Sequence, residues 1–238
     1  ALPETVTLIE SGKNGGFGFG HNVGFSVLTP PPLTEDKNSP PASGERLIRR
    51  CTSGEELAGA YHLIINPDII VHEGAIEALI AYLDTHPDVG LIAPKIVDEH
   101  GQLQYLCKSH PTILALFGRR FLPHSLRTLP PIQRRLDAYI MKEANYNTIL
   151  EPEFISGCFM CFRSDIFSAL GGFDARYFLY FEDTDITQRA KHITRALYYP
   201  KATVTHDWAG GARTSWKLTK IMLRSAFRYF SQWGFRWW

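Results

Sequence analysis

Apolar and polar positions alternate over "TVTLIE", residues 5–10, in a run rich in β-branched side chains, and this period of two predicts a strand. "AYHLIINPDII" (60–70) predicts a second strand ending at Asn66-Pro67-Asp68. Beyond it Ile76, Leu79, Ile80 and Leu83 recur at helical spacing, with a stop near Pro87. "VGLIAP" (89–94) and "EFISGCFMCF" (153–162) read as further strands. "SDIFSALGGFD" (164–174) reads as a helix capped by Ser164 or Asp165 and closed by its glycines. After "FEDTDITQRA" a helix is expected, then the strand "ALYYPKATVTH" (196–206). Residues 105–150 mix apolar and basic groups with prolines and read as irregular helices. Strands alternating with helices define an α/β class with a mainly parallel central sheet. Residues 1–213 form one domain on this reading, and residues 214–238 form a C-terminal amphipathic helix.

Composition adjusts this picture at three places. Between residues 30 and 59, Pro30, Pro31, Pro32, Pro40 and Pro41 sit among charges with few large aliphatics, which predicts an exposed, disordered insert. The tail from Trp208 to Trp238 carries six basic residues and no acidic one, so its helix is a candidate for contact with the inner leaflet of a membrane. The chain opens on Ala1 and enters a strand-like run almost at once, the pattern of a processed or truncated start.

The bulk numbers exclude several classes. The 238 residues are 45% apolar, enough for one large buried core. Lys plus Arg number 25 against 24 Asp plus Glu, so charge gives no sign of a nucleic-acid partner. No apolar run of about 18 residues suggests a membrane span, and the start lacks a signal-peptide pattern. Four scattered cysteines do not make a disulfide scaffold. Cys158 and Cys161 of "CFMC" lie in an apolar strand and read as packed, reduced thiols, in keeping with a cytoplasmic location.

Candidate chemistry clusters where strands end. Asn66 and Asp68 follow one strand and His206 closes another, and ligands of doubly wound sheets gather at such carboxyl ends. Two oxygen-bearing side chains with an imidazole suit Mg²⁺ or Mn²⁺ bridging to phosphates. The glycine-rich "SGKNGGFGFGHNVGF" (11–25) lets backbone amides approach a phosphate, although a plain glycine turn explains it equally well. Glu182, Asp183 and Asp185 stand behind four aromatics in "YFLYFEDTD" (177–185), a costly place for three carboxylates.

Taken in order, "GFGFGHNVGF", "LIINPDIIV", "VGLIAPKIVDEHGQLQ", "FISGCFMCFRSDIFSALGGFDARYFLYFEDTDITQR" and "YYPKATVTH" resemble the family 2 glycosyltransferases of the GT-A fold. Within them the chain is most similar to the rhamnosyltransferase-like enzymes that build bacterial O-antigen and other surface polysaccharides. The resemblance implies that Asp68 binds metal with Asn66 in place of the motif's first Asp, and that His206 completes the metal site. It makes Asp183 the catalytic base with Glu182 beside it, puts Gly157 on the acceptor side, and puts Gly15, Asn22 and Arg189 on the donor side. Arg189 has a second reading, a helix ion pair with Asp185 four residues earlier.

The implied reaction is an inverting sugar transfer. A nucleotide-diphosphate sugar (dTDP-rhamnose favoured, UDP-hexose second) would donate to a hydroxyl of a glycan or lipid-linked oligosaccharide. The family begins with a βα unit that holds the nucleotide base, and nothing before "TVTLIE" supplies one. Two other classes compete: a non-catalytic relative that binds nucleotide sugars or scaffolds a synthase, and a metal-dependent phosphohydrolase. The second needs more carboxylate or histidine ligands than residues 105–150 provide.

Overall fold

The computed structural model describes residues 9–28, 60–207 and 215–237. The expected insert and residues 5–8 of "TVTLIE" lie outside the described residues. A helix α1 (Phe17–Leu28) precedes strands β1 (Tyr61–Ile65) and β2 (Ile69–Val71), helix α2 (Ala75–Thr85) and strand β3 (Val89–Val97). Then come β4 (Cys107–Lys108), α3 (Ile113–Phe121), α4 (His124–Arg127), α5 (Pro130–Tyr139), β5 (Phe154–Ile155) and β6 (Phe159–Arg163). Helices α6 (Ser164–Ala169) and α7 (Glu182–Lys191), strand β7 (Arg195–His206) and helix α8 (Trp216–Trp233) complete the order.

The class is mixed α/β with a central sheet flanked by helices, as expected. Its five strands run in the order β1-β6-β3-β7-β2, while β4 and β5 form a separate two-stranded ribbon. The pairing differs from the mainly parallel expectation among the described residues. Only β3 and β7 run parallel, whereas β1–β6, β3–β6 and β2–β7 are antiparallel. The reason lies in the connections: Asn66-Pro67-Asp68 splits the long apolar run 60–70 into two strands that pair with different neighbours. Pro94 sits inside the central strand β3, and the β3–β7 register slips between Pro94 and Lys95, where the ladder accommodates a residue with no N–H to donate.

Both sheet faces are dry. Along β6 alternate residues point to opposite sides, Phe159 and Cys161 toward Leu79 and Leu83 of α2, Met160 and Phe162 toward Phe167 of α6 and Ile186 of α7. Cys107, Cys158 and Cys161 are free, buried thiols, and burial pushes those of Cys158 and Cys161 up to about 11 and about 12. They are packing groups, as expected of "CFMC". The cap of α6 differs from expectation: Arg163 holds the N-cap position without a side-chain cap bond, and Ser164 is already inside the helix. Helix α7 begins at Glu182 rather than after "FEDTDITQRA", which places all three carboxylates in its first turn. No described helix is long and apolar enough to cross a membrane.

Helix α1 is seated by rings. His62 on β1 lies against His21 and Phe25 of α1 and against Phe167, and its Nε2 is buried with no hydrogen-bond partner. Burial, with a smaller contribution from His21, pushes the His62 imidazole down to about 4. The unfolded chain therefore binds a proton near pH 6.5 that the folded chain refuses until about pH 4. Stability should be full above pH 6.5 and fall as the pH drops toward 4, with a slope of at most about 1.4 kcal/mol per pH unit from this group. Urea midpoints across that range should show the fall in the natural sequence and a shallower one in His62→Phe. Equal slopes would assign the acid sensitivity elsewhere.

Candidate active site

The segment that delivers the carboxylates is strained. Tyr180 and Phe181, neither a glycine, have φ of 68° and 69°, a left-handed backbone that costs about 1–3 kcal/mol at each. Neighbours on two sides enforce it. On one side Phe17 N–H donates to the Phe178 carbonyl at 3.1 Å, and Gly16 passes so close that a Cβ would stand 1.9 Å from that oxygen. On the other, Ser225 Oγ of α8 donates to the Leu179 carbonyl at 2.9 Å, and Phe181 packs against Tyr229 and Phe230. The Phe181 carbonyl then accepts from Asp185 N–H at 2.8 Å.

The three carboxylates meet three environments. Asp183 Oδ1 accepts from the Thr184 amide at 2.7 Å and from Thr184 Oγ1 at 3.2 Å, while Oδ2 accepts from the Gly157 amide at 3.0 Å. Gly157 is tight against it, because a Cβ there would lie 3.2 Å from the Asp183 Cβ. Glu182 is buried, and its Oε2 has no partner. Burial first and the Asp183 charge second push its carboxyl up to about 8, so near neutral pH it holds a proton. Asp185 is fully buried and ionically paired: Arg189 Nε donates at 2.8 Å, Trp233 Nε1 at 3.0 Å and Gln232 Nε2 at 3.1 Å. The helix pair with Arg189 is therefore present, but in the interior rather than on a surface.

Asp68 and His206 also converge. Ile69 pairs with His206 across the β2–β7 ladder, and this sets Asp68 Oδ2 3.4 Å from His206 Nε2. Gln104, which drew no attention in the sequence, orients the ring. Its Nε2 donates to the His206 carbonyl at 3.0 Å, so its Oε1 faces His206 Nδ1 at 2.9 Å. With Gln104 at Nδ1, Nε2 is the ring nitrogen that faces the carboxylate. Asp68 Oδ1 is buried without a partner. An imidazole nitrogen beside a carboxylate with one orphaned oxygen makes a chemically suitable half-shell for a divalent cation. No cluster of three or more His, Cys, Asp or Glu able to hold a metal occurs among the described residues.

The two groups lie at one end of the sheet, where β1 and β7 finish and β6 and β2 begin. The Asn66 amide donates to the Cys158 carbonyl at 2.9 Å, and Cys158 follows the Gly157 that touches Asp183. The turn 156–158 thus bridges "NPD" to the base position. Asn22 and Arg189 are used elsewhere. Asn22 pairs with both the N–H and the carbonyl of Phe173, at 2.8 and 2.7 Å, while Arg189 Nη1 donates to the Leu170 and Gly172 carbonyls. Both hold the Gly171–Phe173 turn. Gly15 leads into α1, where Asn14 Oδ1 accepts from the next amide, that of Gly16, at 3.1 Å.

No protein-family model matches the chain. The chain is 29% identical over 163 residues, 66% of its length, to N-acetylglucosaminyl-diphospho-decaprenol L-rhamnosyltransferase of two Mycobacterium tuberculosis strains. It spans about half the length of those relatives (50%). It is 26% identical over 223 residues to rhamnosyltransferase WbbL of Escherichia coli K12, covering 92% of this chain and 72% of that one. A solved structure of GalNAc-T7 with UDP, GalNAc and Mn²⁺ overlays with a TM-score of 0.47 at 14% identity, over 74% of this chain and 32% of that one. By sequence the chain is thus similar to rhamnosyltransferases.

Asp185→Asn removes the charge opposite a buried guanidinium, and losing one partner of a buried pair costs about 3–5 kcal/mol. Calorimetry should show a large drop in Tm, and an unchanged Tm would mean that Arg189 finds another anion. Glu182 carries the opposite pH signature. Its folded pKa lies above the ordinary 4.5, so its contribution is full below about pH 4.5 and is lost as the pH rises toward 8. Relative to Glu182→Gln, the natural protein should lose stability progressively across that window, read as denaturant midpoints. A constant difference would show that Glu182 ionises normally.

Proposed function

We propose that this chain carries the catalytic centre of an inverting glycosyltransferase. It moves a sugar, with rhamnose favoured over a hexose, from a nucleotide-diphosphate donor to a hydroxyl of a glycan or lipid-linked acceptor in surface-polysaccharide synthesis such as that of O-antigen. The observation that carries this reading is Asp183, an oriented carboxylate at a helix N-terminus, joined through the 156–158 turn to the Asp68–His206 pair.

In this mechanism Asp183 takes the proton of the acceptor hydroxyl as that oxygen attacks the anomeric carbon. The Thr184 and Gly157 amides hold its two oxygens in one orientation. Glu182, protonated behind it, adds no second negative charge and excludes water. Asp68 and His206 would hold Mg²⁺ or Mn²⁺, with Asn66 alongside and Gln104 fixing the imidazole. Such a cation supplies positive charge to the departing diphosphate. Gly157, with no side chain, lets the backbone come close enough to Asp183 for its amide to hold the carboxylate. Asn22 and Arg189 act as framework in this reading, through the turn they both hold.

Turnover of dTDP-rhamnose and UDP-hexoses with a lipid-linked acceptor tests the proposal. Asp183→Asn keeps the shape and one of the two backbone-amide contacts but cannot accept a proton, so kcat should fall about 10²- to 10⁴-fold. Donor affinity should stay nearly constant in that variant. Asp68→Ala should lose donor affinity and turnover together, and chelator should abolish activity that Mn²⁺ or Mg²⁺ restores. Donor binding without any transfer would favour a nucleotide-sugar-binding or scaffold protein, and full activity in excess EDTA would remove the cation from the scheme.

A further inference from the structure

Helix α8 has two distinct faces. The inner one is spoken for: Ser225, Tyr229, Gln232 and Trp233 hold the segment that leads into Asp183, and Ala226 and Phe230 are buried. The outer one is apolar without a partner among the described residues. Trp216 and Phe227 are 71% and 68% exposed, and Leu223 lies between them in the same arc, within about 40° on a helical wheel. Beyond the helix the ridge continues. Phe235 packs edge-on to Phe227, and Trp237 is 64% exposed. Lys220, Arg224 and Lys217 follow about 20°, 60° and 80° beyond Phe227, bordering the exposed apolar arc on one side, and α8 contains no acidic residue.

We propose that the outer face of α8, continued by residues 235–237, is a docking surface for an anionic lipid bilayer. Large exposed aromatics bordered by Lys and Arg, and no carboxylate, are what an interfacial helix presents to headgroups. Charge decides against a second copy of the chain as the occupant. A two-fold dimer would set this face against itself, so Lys220 and Arg224 would meet an α8 face that holds cations and no carboxylate. The proposal deepens the functional reading by naming the surface on which that site would meet a lipid-linked acceptor. Because the inner face of the same helix braces residues 176–185, seating α8 on the bilayer fixes how the Asp183 carboxylate faces the lipid.

Vesicle flotation tests this without turnover, so an absent transferase activity leaves the result untouched. The full chain should float with phosphatidylglycerol–phosphatidylcholine vesicles at low salt. Binding should fall about ten-fold or more with phosphatidylcholine alone or at high salt. The double variants Trp216→Ser/Phe227→Ser and Lys220→Glu/Arg224→Glu alter exposed side chains only. Each should weaken flotation by about ten-fold with Tm unchanged. Protein left at the bottom with anionic vesicles at low salt would overturn the proposal. So would undiminished flotation of both variants, or a stable dimer in sedimentation that Trp216→Ser/Phe227→Ser dissociates.

Discussion

The buried carboxylate of Asp185 is the interaction on which the rest of the site depends. It sits at no measurable exposure, and three donors converge on it, the Arg189 guanidinium from its own helix and the Gln232 and Trp233 side chains from α8. An isolated charge at that depth would be prohibitively costly, so the three donors are a condition of folding rather than an embellishment. Arg189 reaches on to two carbonyls of the Leu170–Gly172 turn, and Asn22 of α1 grips the same turn at Phe173. Asp185 thereby draws α1, α7 and α8 onto one centre, and the strained pair Tyr180–Phe181 is held between them.

Three carboxylates behind an aromatic wall are tolerable because each is treated differently. Asp185 is compensated by a cation, Asp183 by backbone amides and a hydroxyl, and Glu182 by keeping its proton. Mutual repulsion of adjacent acids is thus relieved at Glu182, whose carboxyl is pushed up by burial and by the Asp183 charge. The same economy appears at the other half of the site, where Gln104 meets Nδ1 of His206 and leaves its second nitrogen facing Asp68.

Much of this was legible in the residues, and the misses have physical causes. Period-two and helical spacing located β1, β3, β6, β7, α2 and α8, because burial on one or both faces is written directly into apolar spacing. The pairing directions were not, since a turn as short as Asn66-Pro67-Asp68 carries no sign of which neighbour the next strand will choose. The joining of Asp68 with His206 follows the order of motifs in the chain, whereas Gln104 gave no signal, a lone amide in a turn being chemically ordinary. Asn22 pairs with the backbone of Phe173, and Arg189 with the Asp185 carboxylate and two turn carbonyls, partners that only the fold brings within reach.

The strained Tyr180–Phe181 segment has a consequence for how the molecule acquires its chemistry. Its braces come from residue 16 on one side and residues 225–233 on the other, so the geometry around Asp183 depends on contacts of very different sequence separation. Sheet strands such as β3 and β7 can assemble from their own burial, but the left-handed pair has no local reason to persist. The orientation of Asp183 therefore depends on the C-terminal helix being seated against the segment that leads into α7. A chain interrupted before α8 would retain much of its architecture while lacking a fixed orientation for the Asp183 carboxylate.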